Sequence, residues 1–344
     1  MRREGRTAAA DEPRQRVSVR RRRHPVAAPR SRRRPGARLI IAVLSVVAVA
    51  AGLGAGGCGA GGDTAGGGAL DVVAAESFLA DIAQNVAGDR FTVRTLIPLG
   101  ADPHAFEPTP RDLGEVVAAD LVIVNGGGLE GPLLDTIKGA GGSAGIVDAS
   151  AGLASRVPQA GEPPLDSGQV DPHFWLDPVA TQTYVANIRA AFAEADPAGA
   201  AVYKANAAAY VAQLKRLDTW ITAQVAQIPQ QDRKLVMNHA SHGYFADRYG
   251  FRLVGTVIPG VGTSESPTAQ QLGELTAAIR KNGVRAIFVE TEENHQLARQ
   301  IAAETGVTVV TDLLDHSLTS ADGAAPTYID MMKDDTRRIV EALK

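Results

Sequence analysis

The sequence predicts an α/β fold in which two domains with mainly parallel sheets are joined by one long, rigid helix. From residue 70 onward, short apolar runs alternate with longer stretches of helical spacing, as in parallel sheets covered by helices. One long amphipathic stretch separates the two halves of this alternation. A chain of 344 residues also has room for two domains with sizeable cores.

Eight apolar runs are the predicted strands, four in each half. In the first half they are residues 70–74, 92–97, 121–125 and 145–148, and in the second half residues 234–238, 252–257, 286–290 and 307–310. Most of these runs are separated by stretches long enough to form a helix. Consecutive strands are therefore expected to lie parallel, because a helix can return the chain to the same end of the sheet.

The stretch between the halves places apolar side chains at every third or fourth position, which predicts one buried helix face. They are Tyr203, Ala207, Tyr210, Leu214, Leu217, Ile221 and Val225. Pro197 is expected to open the helix and Pro229 to stop it, because proline fits the first turn of a helix but not its interior. We predict a helix of about 30 residues, roughly 45 Å long, that runs along both domains as a stiff backbone.

The first 57 residues are predicted to be an export signal with an arginine-rich leader. Fourteen arginines within residues 1–38 precede an apolar segment at residues 39–53, which small residues follow. That segment is shorter than the ~20 residues that a membrane-spanning helix needs. Cys58, the single cysteine of the chain, resembles the lipidated cysteine of a bacterial lipobox. An ordinary signal peptide with an incidental cysteine is the alternative.

The remaining body of the chain is acidic. Beyond residue 38 there are 21 basic and 35 acidic residues, which gives a net charge of −14. This balance disfavours nucleic acid as a partner and favours the attraction of cations.

Four histidines follow turns or strand ends and predict a metal site. His104 and His173 each come directly after Asp-Pro, where the fixed φ of proline shapes the turn. His239 follows one predicted strand of the second half, and His316 follows another. Ligands bind at the carboxyl ends of such strands, and imidazoles with nearby carboxylates suit a transition metal. We therefore predict a site between the domains, with two histidines from each half.

With these motifs in place, the chain resembles the metal-binding (cluster A-I) solute-binding lipoproteins of ABC transporters, the zinc and manganese receptors. The resemblance covers residues 70–344 and rests on five segments: residues 100–110 (GADPHAFEPTP), 125–130 (NGGGLE), 171–178 (DPHFWLDP), 239–250 (HASHGYFADRYG) and 327–332 (TYIDMM). It implies a monomeric receptor, lipid-anchored at the outer face of the cytoplasmic membrane. Such a receptor delivers its ion to an ABC permease and, through it, to an ATPase.

The sequence pattern and the resemblance together predict the domain boundaries. We expect a signal sequence at residues 1–57, a flexible glycine-rich tether at 58–69, an N-terminal metal-binding lobe at 70–196, a linking helix at 197–228 and a C-terminal metal-binding lobe at 229–344.

By this resemblance, His104 and His173 are the first two ligands and His239 is the third. Manganese receptors of the family usually carry Glu at the third position and zinc receptors usually carry His, in keeping with the preference of zinc for nitrogen donors. Zn²⁺ is therefore the expected cargo, and Mn²⁺ is the alternative. The family usually has Asp at the fourth position. The register here places His316 there, with Asp315 as the alternative ligand.

Two other functions are compatible with a histidine site. Three histidines and a water on zinc would form a hydrolytic centre, with Asp315 or Glu290 as the general base. A fourth protein ligand would close that site, so no enzymatic activity is expected. A surface adhesin is a further alternative. His242 and His295 are expected not to bind metal. The carboxylates expected to orient the ligand rings are Asp102, Asp171, Asp177 and Asp315.

Overall fold

In the computed structural model, the chain is described at residues 69–139, 143–160, 162, 164–165, 168–291 and 295–344. The predicted export signal at residues 1–57 and the predicted lipidation site at Cys58 lie outside these residues. Within the described part, no helix is both long enough and apolar enough to cross a membrane.

The first half of the chain builds a parallel sheet with the strand order β2-β1-β3-β4. Its strands are β1 (Val72–Ala74), β2 (Val93–Thr95), β3 (Leu121–Val124) and β4 (Gly145–Asp148), and the helices between them are α1 (Ser77–Ala87), α2 (Pro110–Ala118) and α3 (Gly131–Gly139). Each helix returns the chain to the same end of the sheet, so that neighbouring strands run parallel. We call this part the N-terminal lobe.

The second half repeats the arrangement, with the strand order β6-β5-β7-β8. Its strands are β5 (Lys234–Met237), β6 (Arg252–Thr256), β7 (Ala286–Glu290) and β8 (Thr308–Leu313), and its helices are α6 (Gly243–Tyr249), α7 (Ala269–Asn282), α8 (Gln296–Thr305) and α9 (Tyr328–Leu343). We call this part the C-terminal lobe. The predicted fold class of two parallel-sheet α/β domains is confirmed, whereas the domain boundaries stay a prediction.

The two halves are joined by α4 (Thr181–Ala195) and the long helix α5 (Ala200–Val225). The predicted apolar stripe is the buried face of α5, from Tyr203 to Val225. The α-helix has 26 residues, fewer than expected, because Pro197 opens a short 3-10 turn before it and a turn ends it before Pro229.

One apolar core connects both sheets through α5. Its buried side chains include Val72 and Phe78 of the N-terminal lobe, Leu214 of α5, and Leu235 and Tyr328 of the C-terminal lobe. Smaller apolar clusters lie apart from it in each lobe. Because the central core is shared, the lobes are held together by buried apolar surface as well as by the covalent link.

Candidate metal centre

The four predicted histidines converge on one point. The Nε2 atom of His173 lies 3.3 Å from Nε2 of His104 and 3.3 Å from Nε2 of His239. One ring nitrogen from each of these residues and one from His316 all lie within 4.8 Å of one another. His104 is partly exposed, and the other three are buried. The sequence therefore predicted residues that the fold brings together from four separate segments.

His104 is presented by a short 3-10 turn, Pro103–Ala105, in the loop that follows β2. Asp102 caps this turn, since its Oδ1 atom accepts a hydrogen bond of 2.8 Å from the backbone N–H of His104. Its other oxygen, Oδ2, accepts a hydrogen bond of 2.6 Å from the hydroxyl of Thr263 in the C-terminal lobe. Asp102 therefore orders the backbone of the turn and links it to the C-terminal lobe. It does not hold the imidazole ring.

His173 is held by Asp171 through both its backbone and its ring. The Oδ1 atom of Asp171 lies 3.1 Å from the backbone N of His173 and 2.9 Å from the ring Nδ1. With its proton on Nδ1, the ring turns the lone pair of Nε2 toward the other histidines. Burial raises the pKa of Asp171 to about 7, and the His173 N–H and the Arg156 charge act against that rise.

The two histidines of the C-terminal lobe also have carboxylates behind their rings. His239 follows β5, and its Nδ1 lies 3.5 Å from Oε1 of Glu290, the last residue of β7. His316 follows β8, and its Nδ1 lies 3.0 Å from Oδ1 of Asp315. Each buried ring of the four thus has a carboxylate oxygen beside Nδ1, which leaves Nε2 for an ion.

The rings of His104 and His173 are electrostatically suited to stay neutral. Burial, together with the neighbouring imidazoles, holds the pKa of His104 and of His173 well below the ordinary value of 6.5. Burial and the nearby charge of Asp315 raise the pKa of Glu290. Burial would raise the pKa of Asp315 as well, but the adjacent His316 outweighs it and lowers that pKa. Neutral imidazoles are the form that binds a metal ion.

Trp175 packs beneath the centre and joins the lobes. Its ring stacks on Phe78 at a centroid distance of 4.6 Å and lies 5.2 Å from the ring of His173. Its Nε1–H donates a hydrogen bond of 2.6 Å to the backbone carbonyl of Asp315. A fully buried indole with a satisfied N–H gives the site a rigid wall.

A cleft of about 460 Å³ reaches the centre on the side of His104. One wall is the loop at Gly127 and Gly128, where positive φ angles of 64° and 90° favour glycine. A Cβ at Gly127 would also press on Pro172, at 3.1 Å from its Cα. Asn125 ties this loop to the same segment, since its Nδ2 donates a hydrogen bond of 2.9 Å to the carbonyl of Pro172.

Other candidates from the sequence lie outside the group of four histidines. His242 is buried, with Nδ1 2.9 Å from the hydroxyl of Ser241, and His295 lies at the start of α8 beside the backbone carbonyl of Glu290. Asp177 accepts the backbone N–H of Val179 before α4 rather than a ring N–H.

The carboxylates of Asp315 and Glu290 lie behind the ligand rings. Asp315 groups with His239 and Glu290 and not with the four converging nitrogens. Sequence reasoning considered Glu290 only as a general base and missed its place behind His239. Its position at the end of a buried strand was the available signal.

Comparison with known proteins gives the family. A model of the family described as "ZnuA: Zinc-uptake complex component A periplasmic" matches residues 72–342. A manganese-binding lipoprotein MntA from Halalkalibacterium halodurans is 34% identical over 301 residues, which cover 88% of this chain and 96% of the relative. The iron-binding protein YfeA from Yersinia pestis is 33% identical over 270 residues, 76% of this chain and 82% of that protein.

Solved structures share the fold. The periplasmic zinc-binding protein TroA from Treponema pallidum superposes with a TM-score of 0.73 at 26% identity, over 80% of this chain and 99% of TroA. A cadmium-bound periplasmic metal-binding protein from Candidatus Liberibacter asiaticus gives a TM-score of 0.70 at 27% identity, over 79% of this chain and 99% of that protein. With the family match over nearly the whole described body, the chain belongs to the ZnuA family of metal-binding solute-binding proteins, the receptors of metal ABC importers.

Proposed function

We propose that this protein is a zinc receptor, which captures Zn²⁺ outside the cytoplasmic membrane and delivers it to an ABC importer. The proposed ligands are His104, His173, His239 and His316. The observation that carries the proposal is the donor set, because all four converging side chains offer imidazole nitrogen.

The donor set favours zinc over manganese. Imidazole suits zinc, which takes four ligands in a tetrahedral arrangement, whereas manganese is better served by carboxylate and water oxygen. The alternative fourth ligand, Asp315, would add such an oxygen. In the proposed site Asp315 instead lies behind the ring, with its Oδ1 3.0 Å from Nδ1 of His316.

The carboxylates behind the rings support capture of a dication. Four neutral imidazoles bring no charge to balance the ion, so the negative charge must come from the next layer of residues. Asp171, Glu290 and Asp315 are buried within 3.5 Å of a ligand ring. The hydrogen bond to Asp171 makes the ring of His173 a better donor, and the nearby carboxylates partly compensate the charge of the ion.

A transport role is preferred over catalysis. A hydrolytic zinc centre keeps one coordination position for water, and four protein ligands occupy all positions of a tetrahedral ion. The relatives named above are binding or transport proteins.

Manganese is the second candidate, because a relative that is 34% identical is named a manganese-binding lipoprotein. His316 is the residue that separates the two candidates, since an aspartate at this position would convert the nitrogen set toward the mixed set that manganese prefers.

The proposal includes an anchor and partners. Relatives are named as lipoproteins and as substrate-binding lipoproteins of metal ABC transporters. We propose that Cys58 carries the lipid, that residues 58–69 tether the body to the membrane, and that a permease with its ATPase receives the ion. Fatty-acid labelling of the wild-type chain, lost in Cys58→Ser, tests the anchor. Labelling that persists in the variant would exclude Cys58.

The ion is tested by competition titration of the metal-stripped chain from residue 59 onward against a chelator of known affinity. We expect one Zn²⁺ per chain, bound far more tightly than Mn²⁺. His316→Asp is the matched variant. We expect it to weaken zinc binding and so to reduce the difference between the zinc and manganese affinities. Manganese binding as tight as zinc binding in the wild type would make the protein a manganese receptor. Tight binding of neither ion would exclude the receptor function, and a surface adhesin would be the remaining alternative.

A further inference from the structure

We propose that Arg156 is a positioning residue that ties the two lobes together behind His173 and thereby slows dissociation of the bound ion. This inference rests on the proposed function as a metal receptor. Arg156 lies in the loop between β4 and His173.

The guanidinium of Arg156 joins two acidic residues on different parts of the chain. Its Nε and Nη2 atoms donate to the carboxylate of Asp247 in α6, at 2.8 and 3.2 Å. Its Nη1 and Nη2 atoms donate to the carboxylate of Glu162, at 2.7 and 3.1 Å. The planar fork of arginine makes both paired contacts at once, which the single ammonium of lysine cannot do.

The guanidinium of Arg156 and the carboxylate of Glu162 are shielded from water, whereas the carboxylate of Asp247 is 37% exposed. The side chain of Arg156 is 6% exposed and that of Glu162 is 2% exposed. Ion pairs at the protein surface are worth little, but removing one member of a buried pair leaves an uncompensated charge. The link between the loop and α6 therefore has one buried member, Arg156, and one partly exposed member, Asp247, whereas in the surface pair between Arg111 and Glu115 the arginine is 86% exposed.

Two contacts carry the link from Arg156 to the ligand His173. The Nη1 atom lies 3.9 Å from Oδ2 of Asp171, whose other oxygen lies beside the ring Nδ1 of His173. The backbone N–H of Arg156 donates to the hydroxyl of Tyr244, and that hydroxyl donates to the backbone carbonyl of Asp171, at 3.1 and 3.0 Å. Tyr244 belongs to α6, so both contacts hold the Asp171–His173 unit against the C-terminal lobe.

A glycine provides the space for this arrangement. A Cβ on Gly243, the first residue of α6, would lie 2.6 Å from Nη1 and 2.7 Å from Cζ of Arg156. Gly243 has ordinary helical backbone geometry, since it is not among the described glycines with positive φ. The absence of a side chain there lets the guanidinium lie directly against the start of the helix.

The position of the link explains why it would act on dissociation. His173 and His239 belong to different lobes, and their Nε2 atoms are 3.3 Å apart. Dissociation of the ion requires its bonds to both of these ligands to break. A bond between the Asp171–His173 unit and α6 opposes separation of the two ligands once the ion is bound. The link acts on the fully bound arrangement, in which His173 and His239 hold the same ion. We expect less effect on the first encounter of the ion with the protein, which takes place at His104 in the cleft.

Stopped-flow measurement of zinc release into an excess of chelator tests the proposal on the chain from residue 59 onward. We expect Arg156→Gln to raise the dissociation rate by about tenfold, the lower end of what loss of an outer-layer partner costs a metal site. Arg156→Lys should restore part of the retention. Arg111→Gln, which removes an exposed arginine, should release zinc at the wild-type rate. The association rate should stay close to wild type in all variants.

A second variant, Gly243→Ala, disturbs the position of Arg156 without changing any charged residue. Alanine favours the helix, so folding is preserved, while its methyl group displaces the guanidinium. We expect faster zinc release here too, and a double variant with Arg156→Gln that is no faster than Arg156→Gln alone. The melting temperatures of the metal-free variants measure stability apart from zinc release, and they therefore separate a structural role of Arg156 from a positioning role.

The outcomes distinguish this inference from the function on which it rests. Wild-type dissociation rates in Arg156→Gln and Gly243→Ala overturn the role of Arg156 alone. Lower melting temperature with an unchanged dissociation rate does the same, because it assigns Arg156 to stability only. A wild-type chain that binds neither zinc nor manganese overturns the proposed function and this inference together.

Discussion

The two Asp-Pro-His turns of this protein have the same tripeptide sequence but hold their histidines differently. In both, Oδ1 of the aspartate accepts the backbone N–H of the histidine two residues later. In the second turn the same oxygen also lies 2.9 Å from the ring of His173. In the first, the aspartate bonds to Thr263, and the ring of His104 remains partly exposed at the cleft.

The residues after each turn account for the difference. His173 is followed by Phe174, Trp175 and Leu176, all of which are buried and draw the turn into the core. The first turn continues toward Glu107 and Pro108 before α2, and its histidine stays near the surface. The tripeptide thus determines the backbone of the turn. The surrounding core determines whether the ring is locked or free to meet an arriving ion.

Removing the histidine of either turn is expected to have the largest effect on zinc affinity. His173→Ala should lower zinc affinity by more than about 100-fold, beyond the range for an outer-layer partner, because a buried ligand has no substitute. His104→Ala should cost less, because water from the cleft can take the vacated position on the ion. Competition titration gives both affinities, and circular dichroism controls for folding. A larger loss in His104→Ala would reverse the roles assigned to the two turns.

Removing the two aspartates isolates the ring contact. Asp171→Ala should lower zinc affinity by about 10- to 100-fold, because it removes the acceptor that orients the His173 ring. Asp102→Ala removes the same backbone acceptor but no ring partner, and its loss of affinity should fall below that range. Both affinities come from the same chelator competition. Equal losses would mean that the backbone turn, and not the ring contact, controls affinity.

The effect of pH on zinc affinity is expected to be the smallest, and it tests a property that both turns share, the lowered pKa of their histidines. The pKa values of His104 and His173 both lie well below 6.5, so protons compete with the ion only in acid. Zinc affinity should change little from about pH 8 to below the ordinary histidine pKa of about 6.5, and fall only in more acidic solution. Titrations over this range, with NMR of the histidine ring protons in metal-free protein, provide the check. A steep loss of affinity already near neutral pH would contradict the lowered pKa values.

Much of the fold was accessible from the sequence because its signals are local. The alternation of apolar runs identified strands such as β4 and β7 with their observed bounds, and the apolar stripe identified the buried face of α5. Strand ends were less accurate where tertiary contacts extend a strand. The last strand, β8, continues to Leu313 through Asp312, which has a φ of 69° and accompanies a shift in register against β7.

The site was predictable in its ligands but not in their partners. Asp-Pro before a histidine is a local signal, and it identified His104 and His173. The pairing of His239 with Glu290, and of Asp102 with Thr263, joins residues 51 and 161 positions apart. Such pairings depend on how two sheets and their loops pack. Arg156 is the same case, since its partner Asp247 lies 91 positions along the chain.

The most direct test of the four-histidine centre is a crystal structure of the zinc-loaded protein with anomalous scattering at the zinc edge. We predict one zinc ion at about 2.0–2.1 Å from Nε2 of each of the four histidines, with Asp315 hydrogen-bonded behind His316. An ion bound by the Asp315 carboxylate, with the ring of His316 turned away, would contradict the account. So would an ion bound outside this group of residues.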